Sequence, residues 1–234
     1  MGSDKSAFIR QASHDIQGSF FGVSSISVML RSAVENKEDT LHLLDHLIDA
    51  CQKYKYKLNN FLEYTRFDAG LRDTIPEQVN IRQLLRRVVS EAEYDAAEKR
   101  TVIDLSIADD VPEQIVSEEF RIAQIASNLL LNAIHFSPPE RRVLVQVKKN
   151  DDRSWIMIVQ DKGEGMTEDQ LSSVFKLSPE ERSALKNPKG LGLLVTRYLT
   201  EDILGGRLLL SSQIRAGTLC QVILPFNGSM PNDG

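Results

Sequence analysis

The run Asn128-Leu-Leu-Leu-Asn132-Ala-Ile-His135-Phe136-Ser137 decides how this chain is read. Asn128 and Asn132 stand four apart, so on a helix their side chains share one face. Carboxamides in an otherwise apolar helix need partners, because burying one unpaired costs about 1–3 kcal/mol. They either bond within the core or face a polar ligand, such as a Mg²⁺ ion, which prefers oxygen donors. Continued upstream, the pattern predicts a helix over Ser117 to Ile134, with acids following Ser117 in its first turn.

Downstream, Val143 to Lys149 and Trp155 to Val159 read as a hairpin around Asn150-Asp151-Asp152. Asp161-Lys162-Gly163-Glu164-Gly165 follows directly. An Asp at a strand end accepts from an exocyclic amine, and glycines let backbone approach closely. Taken alone, such a segment is usually just a turn. Lys189-Gly190-Leu191-Gly192-Leu193 opens a helix predicted over Leu191 to Leu204, and free N–H groups at such a start suit phosphate. Neither glycine segment has Rossmann or P-loop spacing. Arg207 to Ser211 and Leu219 to Leu224 are closing strands joined near Ala216-Gly217. Upstream, Ile81 to Lys99 is helical, with Ile81, Leu84, Leu85, Val88 and Val89 on its buried face, and Val102 to Ile107 alternates as a strand. This order predicts an α/β sandwich rather than a doubly wound sheet.

Residues 1–70 carry a different period. Phe8, Ala12, Ile16, Phe20, Val23, Ile26 and Leu30 recur at three and four, and a second stripe runs Leu41, Leu44, Ile48, Cys51, Tyr54, Leu58, Phe61 and Thr65. The polar stretch Glu35 to Asp39 folds the two helices back antiparallel. A lone hairpin leaves much of both stripes in water, so a second copy is expected, giving a homodimeric four-helix bundle. Gly70 is placed to cap the second helix. The expected fold is therefore α+β. It has a dimerising helical hairpin over 1–70, a linker over 71–79, an α/β-sandwich domain over 80–227 and a tail over 228–234.

In this order the three segments resemble the N, G1 and G2 boxes of the Bergerat-fold ATP-binding domain shared by histidine kinases, gyrase and their relatives. Phe175 falls where the F box lies, and Gly205-Gly206, Gly217-Thr218 and Leu224-Pro225 follow the histidine-kinase ending. The resemblance runs from about residue 78 to 226. It implies that Asn132 holds Mg²⁺ bridging the phosphates of ATP, with Asn128 assisting. It implies that His135 approaches the phosphates and Phe136 the adenine ring. Asp161 would accept from the adenine amino group, with Gly163 and Gly165 shaping that pocket and Thr218 near the base. Lys189, Gly190, Gly192 and Leu193 would line the phosphate end, and Thr167 to Pro188 would form a lid.

Position 128 bears on the chemistry. Hydrolysing relatives such as gyrase carry a Glu four residues before the metal-binding Asn, whereas Asn128 is neutral and cannot act as a general base. That favours transfer to a protein nucleophile over transfer to water. Phe8-Ile-Arg-Gln-Ala-Ser13-His14-Asp15-Ile16 resembles the histidine-kinase H box. His14 would be the nucleophile, since neutral imidazole is competent near pH 7, and Asp15 would hold its other ring nitrogen. Gly18 and Ser19 stand where Thr or Asn and then Pro are usual, which implies that partner dephosphorylation suffers more than kinase activity. The resemblance implies a response-regulator receiver domain as partner. Rival readings are a nucleotide-sensing pseudokinase scaffold and an ATP hydrolase. His42 and His46, four apart, read as a solvated helix face rather than a metal site.

Composition sets the outer bounds. A hydrophobic share of 41% is enough for a core and excludes wholesale disorder. The net charge of −5 disfavours nucleic acid or an anionic membrane as main partner. Two cysteines, Cys51 and Cys220, are too few for a disulfide framework, which fits a reducing compartment. No stretch reaches the ~18–20 apolar residues of a membrane span. Met1-Gly2-Ser3-Asp4 lacks a signal peptide's apolar region and reads as the edge of an excised fragment. A cytoplasmic location and a separate upstream sensor domain are expected.

Overall fold

The computed structural model describes residues 76–176 and 191–227. The expected hairpin over 1–70, with His14 and Asp15, lies outside them, as do Lys189, Gly190 and the tail over 228–234. Strand β1 (Glu77–Asn80) leads straight into helix α1 (Ile81–Glu98). The Asn80 side chain accepts the Gln83 N–H at 2.9 Å, the usual N-cap service to an orphan donor. Ile81, Leu84, Leu85, Val88, Ala92 and Ala96 recur at helical spacing and are buried. Strand β2 (Val102–Ile107) matches its predicted bounds.

Strand β3 (Gln114–Ser117) pairs antiparallel with β1, Glu77 opposite Ser117 and Asn80 opposite Gln114. Ser117 is therefore the end of a strand and not the start of a helix. Helix α2 (Glu119–Phe136) begins two residues later, and its N-cap residue Glu118 makes no side-chain capping bond. Glu118 instead ion-pairs with the buried Arg121. The segment expected as linker likewise ends in β1, so the sandwich starts before residue 80.

Strands β4 (Arg142–Lys149) and β5 (Ser154–Gln160) form the expected hairpin. After β5 come helices α3 (Glu168–Lys176) and α4 (Leu191–Tyr198), so the expected lid begins with a helix. The α-helical hydrogen bonding of α4 ends at Tyr198, and one wider π turn covers Leu199–Ile203. Strands β6 (Arg207–Gln213) and β7 (Gly217–Pro225) close the fold. The large sheet runs β2-β4-β5-β7-β6, with β2 parallel to β4 and the other pairs antiparallel. Val143, Val145, Val147, Trp155, Met157, Val159, Leu208, Val222 and Leu224 are buried on the sheet, and α1 and α2 supply the apolar layer against them. Among the described residues, no helix is long and apolar enough to cross a membrane.

Candidate functional site

Asp161 is placed by the β5–β7 ladder. Gln160 pairs with Leu219, and one residue further the Asp161 N–H donates to the Thr218 carbonyl at 3.0 Å. Side chains alternate along a strand, so Asp161 falls on the same side as buried Val159 while Gln160 faces water. Its Oδ1 accepts from the N–H of Gly163 at 2.7 Å and of Thr218 at 3.2 Å. Its Oδ2 has no hydrogen bond among the described residues. Burial pushes the carboxyl above the usual Asp range, and those two N–H groups oppose the rise. Cys220 lies in the same region. Burial, reinforced by the Asp161 charge, raises its thiol to about 12, so it stays an inert thiol.

The glycines act through close approach. A Cβ on Gly163 would sit 2.4 Å from the Phe136 carbonyl oxygen. Gly165 has φ +68°, and a Cβ there would stand 1.9 Å from the Gln213 carbonyl oxygen. The loop is thus pressed between the end of α2 and the β6–β7 turn. The Glu164 N–H donates to the Phe136 carbonyl at 3.3 Å, and the Arg215 N–H to the Glu164 carbonyl at 2.7 Å. Phe136 itself is 39% exposed, and the His135 ring meets it edge-on with centroids 5.0 Å apart. Asp161, Gly163, Gly165, Phe136 and Thr218 therefore meet in one place.

Sequence reading missed Ser212. Its Oγ accepts the Met166 N–H at 2.8 Å and donates to the Gly217 carbonyl at 3.1 Å. With its proton so committed, Ser212 accepts from the Thr218 hydroxyl at 2.9 Å. This leaves the Thr218 Oγ1 lone pairs as acceptors. Lys99 was also missed: its ammonium reaches the carbonyls at the end of α2. A serine in an edge strand and a lysine after a helix carry no local signal of such roles.

Asn128 and Asn132 share a face of α2 but stand in different surroundings. Asn132 is half-buried, and its side chain has no hydrogen bond among the described residues. Asn128 is fully buried, and its Nδ2 donates to the Gly192 carbonyl at 3.1 Å and to Thr196 Oγ1 at 3.4 Å. Its Oδ1 is buried without a partner. Asn128 thus joins α2 to the first turn of α4, where Gly192 is buried and Leu193 half-buried. Among the described residues, no three His, Cys, Asp or Glu side chains gather to hold a metal, so an ion here would rely on carboxamide oxygens.

Residues 117–228 match the family model described as histidine kinase-, DNA gyrase B-, and HSP90-like ATPase. The mixed five-stranded sheet with helices packed on it agrees with the α/β-sandwich fold that this match implies. Among curated proteins, the chain is similar to the sensor protein TorS of Escherichia coli, 26% identical over 95% of this chain and 24% of TorS. It spans about a quarter of the length of the curated relatives it matches. Among solved structures, the fold is similar to full-length ShkA in complex with AMPPNP, at TM-score 0.64 and 22% identity over 95% of this chain and 47% of that one. It is also similar to histidine kinase ThkA in complex with response regulator protein TrrA, at TM-score 0.59 and 16% identity over 93% of this chain and 60% of that one.

Proposed function

We propose that the chain is the catalytic core of a sensor histidine kinase, which phosphorylates its own His14 from ATP and passes the phosphoryl group to an Asp of a response-regulator receiver domain. The observation that carries this reading is Asp161, a buried carboxylate with Oδ1 fixed by two backbone amides and Oδ2 left as an acceptor. That arrangement suits the exocyclic amine of adenine. Phe136 would flank the ring, Thr218 would lie near the base and Gly163 and Gly165 would shape the pocket. His135, Lys189, Gly190, Gly192 and Leu193 would line the phosphate end.

Asn132 would hold Mg²⁺, with Asn128 behind it. The fit rests on the half-buried Asn132, whose carboxamide has no partner among the described residues, and on the orphaned Oδ1 of Asn128, both oxygen donors suited to a hard cation. Bound there, Mg²⁺ supplies neutralisation of the phosphate charge. In the transfer, the bond from the γ-phosphorus to its bridging oxygen breaks, a P–N bond forms to His14, and ADP leaves. Asp15 would orient the imidazole and stabilise its cation. Attack of the receiver's carboxylate then breaks the P–N bond and restores neutral His14. The hairpin over 1–70 would carry the homodimer and the receiver contact, joined through 71–79 to the ATP domain, in the cytoplasm.

Hydrolysis is disfavoured because Asn128 is fully buried and bonded to Gly192 and Thr196, leaving no general base at that position. Labelling tests the reading. Incubation with γ-labelled ATP and Mg²⁺ is expected to give acid-labile, alkali-stable label that His14→Ala abolishes. Nucleotide binding without such label would indicate a sensing scaffold, and phosphate release surviving His14→Ala would indicate a hydrolase.

A further inference from the structure

Helix α2 ends where the two residues past its C-cap cannot complete a glycine-type cap. A helix leaves its last four carbonyls without intrahelical donors. At the end of α2 the Ser137 N–H serves the Ala133 carbonyl at 3.2 Å, and the Glu164 N–H serves that of Phe136. Between these two lie the carbonyls of Ile134 and His135. In the common glycine cap these two receive the N–H groups of the second and first residues past the C-cap. With Ser137 as C-cap, those residues are Pro139 and Pro138, which have no N–H. Ser137 is held extended (ψ 141°), as a residue before proline must be.

Lys99 supplies the missing donors. Its Nζ donates to the Ile134 carbonyl at 3.2 Å and to that of His135, and it also reaches the Ser137 carbonyl at 3.3 Å. The ammonium comes from a fixed mount. The Lys99 N–H bonds back to Ala96 and Ala97, and its carbonyl accepts the Glu140 N–H at 3.0 Å. A cation at a helix C-terminus also opposes the negative end of the helix dipole.

The turn so held carries His135 and Phe136, and its last carbonyl is the one against which Gly163 packs. We infer that Lys99 is a positioning residue for the base end of the nucleotide site, standing in for the two donors that Pro138 and Pro139 lack. The inference rests on the nucleotide reading of Asp161.

The test uses the full 234-residue chain and ADP, titrated calorimetrically with and without Mg²⁺. Lys99→Met is expected to weaken ADP by about tenfold. The factor should be similar with and without the ion, because Phe136 and the Gly163 contact that this turn supports lie at the base end. Lys99→Arg, which keeps the charge and donors, should recover most of the affinity. In Lys99→Met, Pro139→Ala restores an N–H and should recover part of it. Wild-type affinity in folded Lys99→Met, including the case where only its melting temperature falls, would overturn the inference. So would a loss confined to the Mg²⁺ titration, or an equal loss in Lys99→Arg. Failure of the wild type to bind ADP at all would instead overturn the nucleotide reading, and this inference with it.

Discussion

At Asp161, burial raises the carboxyl's proton affinity, and the N–H groups of Gly163 and Thr218 offset only part of the rise. The folded chain therefore holds this proton to higher pH than the unfolded chain does. Its contribution to stability is favourable below the ordinary carboxylate value of about 3.9 and is lost as pH rises through the raised one. Ionised, the buried carboxyl is a burden on the fold, which suits the acceptor role proposed for it. Asp161→Asn keeps an oxygen for Gly163 and Thr218 but turns an amide donor toward a ligand amine. Its melting temperature at neutral pH should equal or exceed that of the wild type. ADP affinity should fall roughly 100-fold, the scale of a lost charge-assisted hydrogen bond at about 1.5–3 kcal/mol. In the wild type, affinity should decline as pH drops through the region just above ordinary carboxylate titration. A pH series of ADP titrations checks this, and a pH-independent affinity would sink the role given to Asp161.

At the scale of elements, the joint between α2 and α4 hangs on one carboxamide. Asn128→Ala leaves the Gly192 carbonyl without its side-chain donor and opens a small void, an expected loss of about 1–3 kcal/mol in urea unfolding. Thr196→Val should cost less, because the Thr196 contact at 3.4 Å is long for a hydrogen bond while that to Gly192 at 3.1 Å is not. The reverse order would show that Asn128 is anchored differently. The helix carrying Asn128 was legible because its apolar period runs on for several turns, and the β4–β5 hairpin because alternation brackets a polar turn. Strands β1 and β3 have four residues each and find each other across α1 and β2, so neither carries enough period to be seen alone. The π turn after Tyr198 continues an apolar helical pattern and differs only in backbone bonding. The three glycine and asparagine segments were readable as a set, yet Lys99 and Ser212 were not, because their partners are backbone groups remote in sequence.

At the scale of the molecule, the groups assigned to nucleotide lie between Asn128 and Thr218, and the group assigned to receive phosphate is His14. Binding and transfer should therefore separate by mutation. His14→Ala removes a side chain that the proposed binding set does not include, so it should bind ADP as the wild type does while taking no label from ATP. The linkage can be read without radioactivity. A ligand that binds only the folded state stabilises it by RT ln(1 + [L]/Kd), about 2.7 kcal/mol at a hundredfold excess over Kd. For a folded unit of about 150 residues, that corresponds to a rise of several degrees in melting temperature. The same rise is expected for the wild type and for His14→Ala, and little or none for Asp161→Asn. If His14→Ala lost the ADP-dependent rise, the phosphate acceptor and the nucleotide site would not be the independent parts that the positions of their residues imply.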